Sequence, residues 1–340
     1  MHTPRISVII ALYNAEDFIE TCLDSILQQT FKDFEVILVD DCSTDGSFEL
    51  VREKYCVESG EKFDPRIKLF HNMRDLHASF AVGIALSSES KYIYMMDHDD
   101  ALLPNCLETF YNAIEKSGAD AVHMNANYDA ADPNFKTNKH LKVEEAADFN
   151  AEPRFLDENL FQRVVQEDTG RLSHAYWRKI MRRELYFNGT LPIPSKPVFP
   201  GDSYWFMQEI CLVKKIQVID ACQYIRRQHP ASVMHQASEN KIRLFLNTLP
   251  AGIELVDEIF ESEHLISDVT DEEKLTIKMI FFTDILTTFV FKPAFRLSKT
   301  EFHDVLLDVF SKTTLRDPKI STLFLELLTA YLANAQAAKK

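Results

Sequence analysis

Tyr92-Ile93-Tyr94-Met95-Met96-Asp97-His98-Asp99-Asp100 is the stretch on which the fold turns. Five large apolar residues in a row suit a short strand covered on both faces. Strands of that kind belong to a parallel sheet flanked by helices. In such sheets ligands bind beyond the carboxyl ends of the strands. Here the strand runs out into Asp97, Asp99 and Asp100, so an acidic cluster is expected on the ligand rim.

Outward from that stretch the same pattern recurs. Ile6-Ser7-Val8-Ile9-Ile10-Ala11-Leu12, Val36-Ile37-Leu38-Val39, Ile67-Lys68-Leu69-Phe70 and Ala121-Val122-His123-Met124 read as further buried strands. Helical stripes lie between them. Asn14 can cap a helix that buries Phe18, Ile19, Cys22, Leu23, Ile26 and Leu27. Other helices are predicted over Ser47–Tyr55, around Ala78–Ser88 and from Pro104 through Ile114. Alternation of strand and helix with right-handed crossovers predicts an α/β layer with a mostly parallel sheet. Residues 125–150 are polar and aperiodic. Helices are then expected over Asp157–Glu167, His174–Tyr186 and Asp202–Leu212, with strands at Ile216–Ile219 and Gln223–Arg227. Beyond Ser238 the sequence turns helical, with Leu255, Ile259, Val305, Phe310, Leu323 and Leu327 as core or interface positions.

Composition narrows the partners. The 340 residues carry a formal net charge of −15, which argues against a duplex nucleic-acid partner, since that needs a basic face. The six cysteines include no Cys-x-x-Cys pair, so zinc-finger and redox motifs have no support and reduced thiols in a cytoplasmic setting are expected. Met1-His2-Thr3-Pro4-Arg5 leads straight into a strand and does not read as a signal peptide. Met279–Phe291 is too short and too polar to span a bilayer, which leaves at most peripheral association with the inner face of a membrane.

Four clusters follow the strands and should share one rim: Ala11-Leu12-Tyr13-Asn14, Asp40-Asp41-Cys42-Ser43-Thr44-Asp45-Gly46-Ser47, His71-Asn72-Met73-Arg74, and Asp97-His98-Asp99-Asp100. No Gly-x-Gly-x-x-Gly and no phosphate-binding Gly-Lys-Ser/Thr loop occurs, and the chain holds only 8 glycines. A carboxylate-rich rim repels a diphosphate unless a cation lies between them. Hard oxygen ligands suit Mg²⁺ or Mn²⁺. The plainer reading of any one such Asp pair is a cap on the next helix. Two clusters at successive rims, each straight after a buried strand, weigh against it.

Residues 5–125 resemble glycosyltransferase family 2, the inverting enzymes of the GT-A fold. The likeness rests on Ser7 to Ala15, on Ser25 to Ser47, and on Met96-Asp97-His98-Asp99-Asp100-Ala101-Leu102-Leu103-Pro104. It continues through Trp177 to Arg183 and Gly201 to Phe206, and ends near Tyr224 to Val233. The resemblance implies a GT-A domain over 1–235, with a nucleotide-sugar half (1–125) and an acceptor half (126–235), followed by a helical domain over 236–340. It further implies that Ala11 and Tyr13 line the nucleoside pocket and that Asp41 reads the base edge. Asp97 would lie near the ribose and sugar, Asp99 would bind the metal, and Asp202 would be the catalytic base. Asp40, Asn72, Arg74, His98 and Asp100 share these rim segments and are expected at the donor site. Trp177, Arg226 and His229 are weaker candidates for acceptor or diphosphate contact, Trp177 reading more readily as core and His229 as readily as a surface-loop residue.

The activity so implied is transfer from a nucleotide-diphosphate sugar, a UDP-sugar, to a saccharide or lipid-linked acceptor in surface-glycan assembly. Homodimerisation through the C-terminal helices is compatible with their apolar stripes. The chain departs from the family pattern at Phe80-Ala81, where members often carry Arg-Asn, and at Gly201, where a Glu usually precedes the base. Those departures keep a rival in play, a non-catalytic sugar-nucleotide binder or scaffold. A nucleotidyltransferase would need a Gly-rich basic loop near the N-terminus, and none is present.

Overall fold

A computed structural model describes residues 3–72, 79–87, 89–125, 128–130, 152–165, 174–193, 198–227, 239–286 and 322. Arg74, His229, Val305, Phe310, Leu323, Leu327 and most of the polar stretch 125–150 lie outside the described residues.

Contacts divide the chain into two compact units. One comprises Met1–Asp157, Glu167–Ile193 and Val213–His229; the other comprises Glu158–Gln166, Pro194–Leu212 and Pro230–Lys340. The division is not collinear with the sequence, since the segment carrying Asp202 groups with the C-terminal helices.

The first unit is built on an eight-stranded sheet. Its strands are β1 (Ile6–Leu12), β2 (Phe34–Asp40), β3 (Ile67–His71), β4 (Tyr92–Asp97), β6 (Ala121–Met124), β8 (Arg154–Phe155), β9 (Lys179–Arg182) and β10 (Ile216–Ile219). They run in the order β3-β2-β1-β4-β9-β6-β10-β8. Strands β3, β2, β1 and β4 are parallel, as are β6 and β10, whereas β9 and β8 are antiparallel to their neighbours. A small second sheet joins β5 (Ala101–Leu102), β11 (Tyr224–Arg227) and β7 (Tyr128–Ala130).

The unbroken apolar runs follow from cover on both faces. Ile6, Val8, Ile10 and Leu12 share one core with Ile19, Cys22, Leu23 and Ile26 of helix α1 (Ile19–Leu27). On the opposite face Ile9 meets helix α3 (Ser79–Leu86) at Gly83, where a methyl group would overlap Ile9 Cγ2. Gly83→Ala therefore sets a gain in helix propensity against a clash with a fully buried side chain on a central strand. Overpacking of that kind costs about 1–3 kcal/mol, against about 1 kcal/mol gained by Gly→Ala in a helix. The expected outcome is a lower Tm by calorimetry. An unchanged or higher Tm would show that α3 can move aside.

Two expectations are corrected. Residues 174–186 do not form one helix: a turn at Tyr176–Arg178 leads into strand β9, followed by a short helix at Glu184–Phe187. Strand β9 pairs on both sides, with Ile180 opposite both Tyr94 and Val122. Ladder bonds on two edges and burial of Lys179, Ile180 and Met181 outweigh local helix preference. Asn14 is not a helix cap either. It sits at φ 47°, and α1 begins at Ile19. Its side-chain oxygen accepts from the Thr44 amide at 2.7 Å, so it ties two rim loops together.

The second unit contains α5 (Leu160–Val165), α7 (Gly201–Leu212), α8 (Glu239–Phe260) and α9 (Asp271–Leu286), α6 being the short Glu184–Phe187 helix of the first unit. Leu255 and Ile259 are buried in α8, as the stripe predicts. Arg163 of α5 is almost fully buried and donates from Nη1 to the Ile210 carbonyl of α7 at 2.9 Å. Tyr204 of α7 packs edge-on against Phe281 of α9, ring centroids 5.4 Å apart. No described helix is long and apolar enough to cross a membrane.

Candidate functional site

Strand order reverses beside β1: β2 and β3 lie on one side of it and β4 on the other. Such a switch point opens a crevice at the carboxyl ends of the strands. Register places the rim residues in one row. Ala11 is opposite Asp97, Leu12 is opposite Asp40, and Asp40 is opposite His71.

On the β2 side, two residues of the β3 end hold the two carboxylates that end β2. His71 Nδ1 lies 2.8 Å from Oδ2 of Asp40, a fully buried residue that also accepts from the Ser43 amide at 3.2 Å. Asn72 Nδ2 donates to Asp41 Oδ1 at 2.8 Å. Asp41 is buried, and its amide continues the β1 ladder onto the Leu12 carbonyl at 2.9 Å. Cys42 then takes a left-handed φ of 64°, with its sulfur 3.1 Å from the Asn72 carbonyl oxygen. The loop after β1 is sewn to the loop after β2. Ser43 Oγ accepts from the Asn14 amide at 3.0 Å, Ser47 Oγ from the Ala15 amide at 2.7 Å, and Asp45 from the Glu16 amide at 3.1 Å. Tyr13 projects from this fixed rim, 49% exposed.

On the β4 side, single oxygens of Asp97, Asp99 and Asp100 all lie within 4.8 Å of one another. Asp97 and Asp99 are half-buried and Asp100 is buried. Burial first, and then the charges of Asp97 and Asp99, push the Asp100 carboxyl up to about 8. Beneath them Cys22 places its sulfur 3.6 Å from the Asp97 carbonyl oxygen, and burial together with the same three carboxylates raises its thiol well above the ordinary range. His98 Nδ1 lies 2.8 Å from the Ala11 carbonyl oxygen. A carbonyl can only accept, so that nitrogen carries a proton and His98 clamps the β4 loop to β1.

This donor set fits a hard divalent cation. It offers carboxylate oxygens only, brought close enough to repel one another, and a cation relieves that repulsion.

The remaining candidates divide. Trp177 is buried and stacks on Tyr224 with centroids 4.2 Å apart and planes at 11°, so its near face is covered by protein. Arg226 is half-buried on β11. Asp202 lies in the first turn of α7 in the second unit, half-buried, with Oδ1 accepting from the Ser203 amide at 2.8 Å. Phe80, one of the two departures, packs against Tyr176 with centroids 4.5 Å apart, and the Tyr176 hydroxyl donates to Asp97 Oδ1. A Cβ at Gly201, the other departure, would meet no atom within 4 Å, so space for the first side-chain carbon is open there.

Three contacts of the acid loop escaped the sequence reading: Tyr176, Tyr224 and Arg227. Tyr224 hydroxyl donates to Asp100 Oδ2 at 2.5 Å. The Arg227 amide donates to Asp100 Oδ1 at 2.7 Å, and its Nε to the Asp99 carbonyl at 2.9 Å. The available signal was a tyrosine on the strand expected over Gln223–Arg227, since a buried Tyr usually finds a partner for its hydroxyl.

Comparison with known proteins agrees with this geometry. The family described as Glycosyl transferase family 2 matches residues 7–186. Glycosyltransferase GlyG of Streptococcus pneumoniae serotype 4 is 35% identical over 147 residues, 42% of this chain and 47% of that protein. EpsJ of Bacillus subtilis, described as an uncharacterized glycosyltransferase, is 28% identical over 239 residues, 68% of this chain and 63% of that one. The matches thus span less than two thirds of either relative. Among solved structures, S. aureus TarS 1-349 in complex with UDP-GlcNAc has a TM-score of 0.64 at 18% identity, covering 90% of this chain and 80% of that chain. At that identity the likeness is one of fold: a GT-A sheet with flanking helices and a helical C-terminal region.

Proposed function

The chain belongs to glycosyl transferase family 2, and on that premise we propose that it moves a sugar from a UDP-sugar to an acceptor hydroxyl with inversion at the anomeric carbon. One observation carries the reading. The carboxylates of Asp97, Asp99 and Asp100 gather at the end of β4, with the single strand β1 between them and the Asp40-Asp41 pair that ends β2. That pairing suits a donor with a nucleoside at one end and a diphosphate at the other.

In this reading Asp41, fixed by Asn72, accepts the imide N–H of uracil, and Tyr13 covers the nucleoside. Asp97, held by Tyr176, lies toward the ribose and sugar. Asp99, with the acid loop around it, would hold Mn²⁺ or Mg²⁺. The ion, when bound, offsets the charge that grows on the departing nucleoside diphosphate. Asp202 takes the proton of the acceptor hydroxyl as its oxygen attacks the anomeric carbon. The bond formed is acceptor oxygen to anomeric carbon, and the bond broken is anomeric carbon to phosphate oxygen. We assign this chemistry to residues 1–235 and a helical domain, suited to self-association, to residues 236–340. The setting that follows is surface-glycan assembly at the cytoplasmic face of a membrane.

Purified protein screened against a panel of nucleotide sugars, with and without Mn²⁺ or Mg²⁺, tests the proposal. Slow metal-dependent donor hydrolysis, fastest with one UDP-sugar, is the expected result. The rival reading, a binder that has lost catalysis, draws on Phe80 being packed on Tyr176 where family members often carry Arg. Tight nucleotide binding with no hydrolysis of any donor would favour it.

The base preference gives a further prediction. UDP should bind more tightly than CDP or ADP, because cytosine and adenine lack the imide donor that a carboxylate accepts. A hydrogen bond to a charged group contributes about 1.5–3 kcal/mol, roughly tenfold to a hundredfold in affinity. Asp41→Ala should level the three affinities in calorimetry. Equal affinities in the wild-type protein would remove Asp41 from the base.

A further inference from the structure

We propose that Tyr224 is the positioning residue of the acid loop, and that Asp100 is the handle through which it acts and not a ligand of the cation. The inference rests on the metal-dependent reading above and deepens it. The phenol oxygen of Tyr224 touches both ends of the loop. It accepts from the Asp97 amide at 3.4 Å and donates to Asp100 Oδ2 at 2.5 Å. One atom therefore spans the turn that presents Asp97 and Asp99. Arg227, on the same strand, completes the grip with its amide on Asp100 Oδ1 at 2.7 Å and its Nε on the Asp99 carbonyl at 2.9 Å.

Asp100 is 3% exposed and both of its oxygens accept from protein donors. That commits it to holding the loop. Tyr224 is itself held by packing: it is fully buried, and Trp177 stacks flat against it. The stack gives Trp177 a part as well, since it fixes the ring that aims the hydroxyl. Groups that orient the ligands of a metal from behind typically govern affinity by about tenfold to a hundredfold. A tyrosine that only fills core would have no such effect, and the two roles can be separated because phenylalanine keeps the ring and loses the hydroxyl.

The test is titration of Mn²⁺ into metal-free full-length protein without donor, read by the electron paramagnetic resonance signal of free Mn²⁺. Tyr224→Phe should weaken binding about tenfold or more, with circular dichroism like wild type. Asp100→Asn should weaken it but leave it measurable, whereas Asp99→Ala should abolish it. The double variant Tyr224→Phe/Asp100→Asn should bind no more weakly than the more impaired single variant, because both changes act on the Tyr224–Asp100 contact. Wild-type binding with an indifferent Tyr224→Phe overturns the proposal, as do losses that add in the double variant. If Tyr224→Phe fails to fold, Asp100→Asn decides: loss as complete as in Asp99→Ala makes Asp100 a ligand and overturns the inference. Wild-type protein that takes up no Mn²⁺ overturns the metal reading itself, and this inference with it.

Discussion

Asp99→Ala should reduce metal-dependent turnover by at least about a hundredfold, since stabilising a departing diphosphate is worth several kcal/mol and each 1.4 kcal/mol is tenfold in rate. The loss should not come from unfolding. Asp99 is half-buried at a loop, and its backbone carbonyl, which alanine retains, is what accepts from Arg227 Nε. Truncation also removes one of the two neighbouring charges that, after burial, push the Asp100 carboxyl up. Circular dichroism and Tm should therefore stay at or above the wild-type values while turnover collapses. Full activity of Asp99→Ala, or wild-type turnover undiminished in EDTA, would show that the reaction runs without the cation.

Asp202→Asn is the second large effect. A general base must be ionised and within reach of the proton that it takes, and its loss typically costs about a hundredfold to ten-thousandfold. The first turn of α7 favours a carboxylate in its charged form. Asparagine keeps the size and the acceptor oxygen that meets the Ser203 amide, but cannot take a proton. The expected result is a fall in kcat of about a hundredfold or more with UDP affinity unchanged. The two variants separate the two roles, because Asp99→Ala should also weaken Mn²⁺ binding and Asp202→Asn should not. A kcat close to wild type in Asp202→Asn would move the base to another carboxylate.

Much of the first unit was legible because it is written in local signals. Ile6–Leu12, Val36–Val39 and Tyr92–Met96 are apolar runs that end in Asp or Asn, and their ladders in fact align Ala11, Asp40, His71 and Asp97 along one rim. Strand β9 was not legible. Lys179-Ile180-Met181-Arg182 holds two apolar residues between basic ones, and only its two neighbours make it a strand. Tyr224 was missed for a related reason: its partner Asp100 lies 124 positions away, beyond any pattern that a window of sequence can hold. Asn14 misled because an Asn before a helical stripe suits a cap and a left-handed turn equally well. The role given to Asp202 came from resemblance and not from its neighbours in sequence, so its test bears most heavily on the proposed mechanism.

The late arrival of β9 has a consequence for synthesis. Strands β4 and β6 are complete by Met124, yet the strand that joins them ends at Arg182. During translation β4 and β6 therefore emerge with unpaired edges and must wait for at least another 58 residues, the difference between positions 182 and 124. At ribosomal rates of about 5–20 residues per second that wait lasts several seconds. Exposed strand edges invite pairing with other chains. The nascent chain is thus exposed to aggregation while residues 125–182 are being added, and this is where a chaperone would have much to protect.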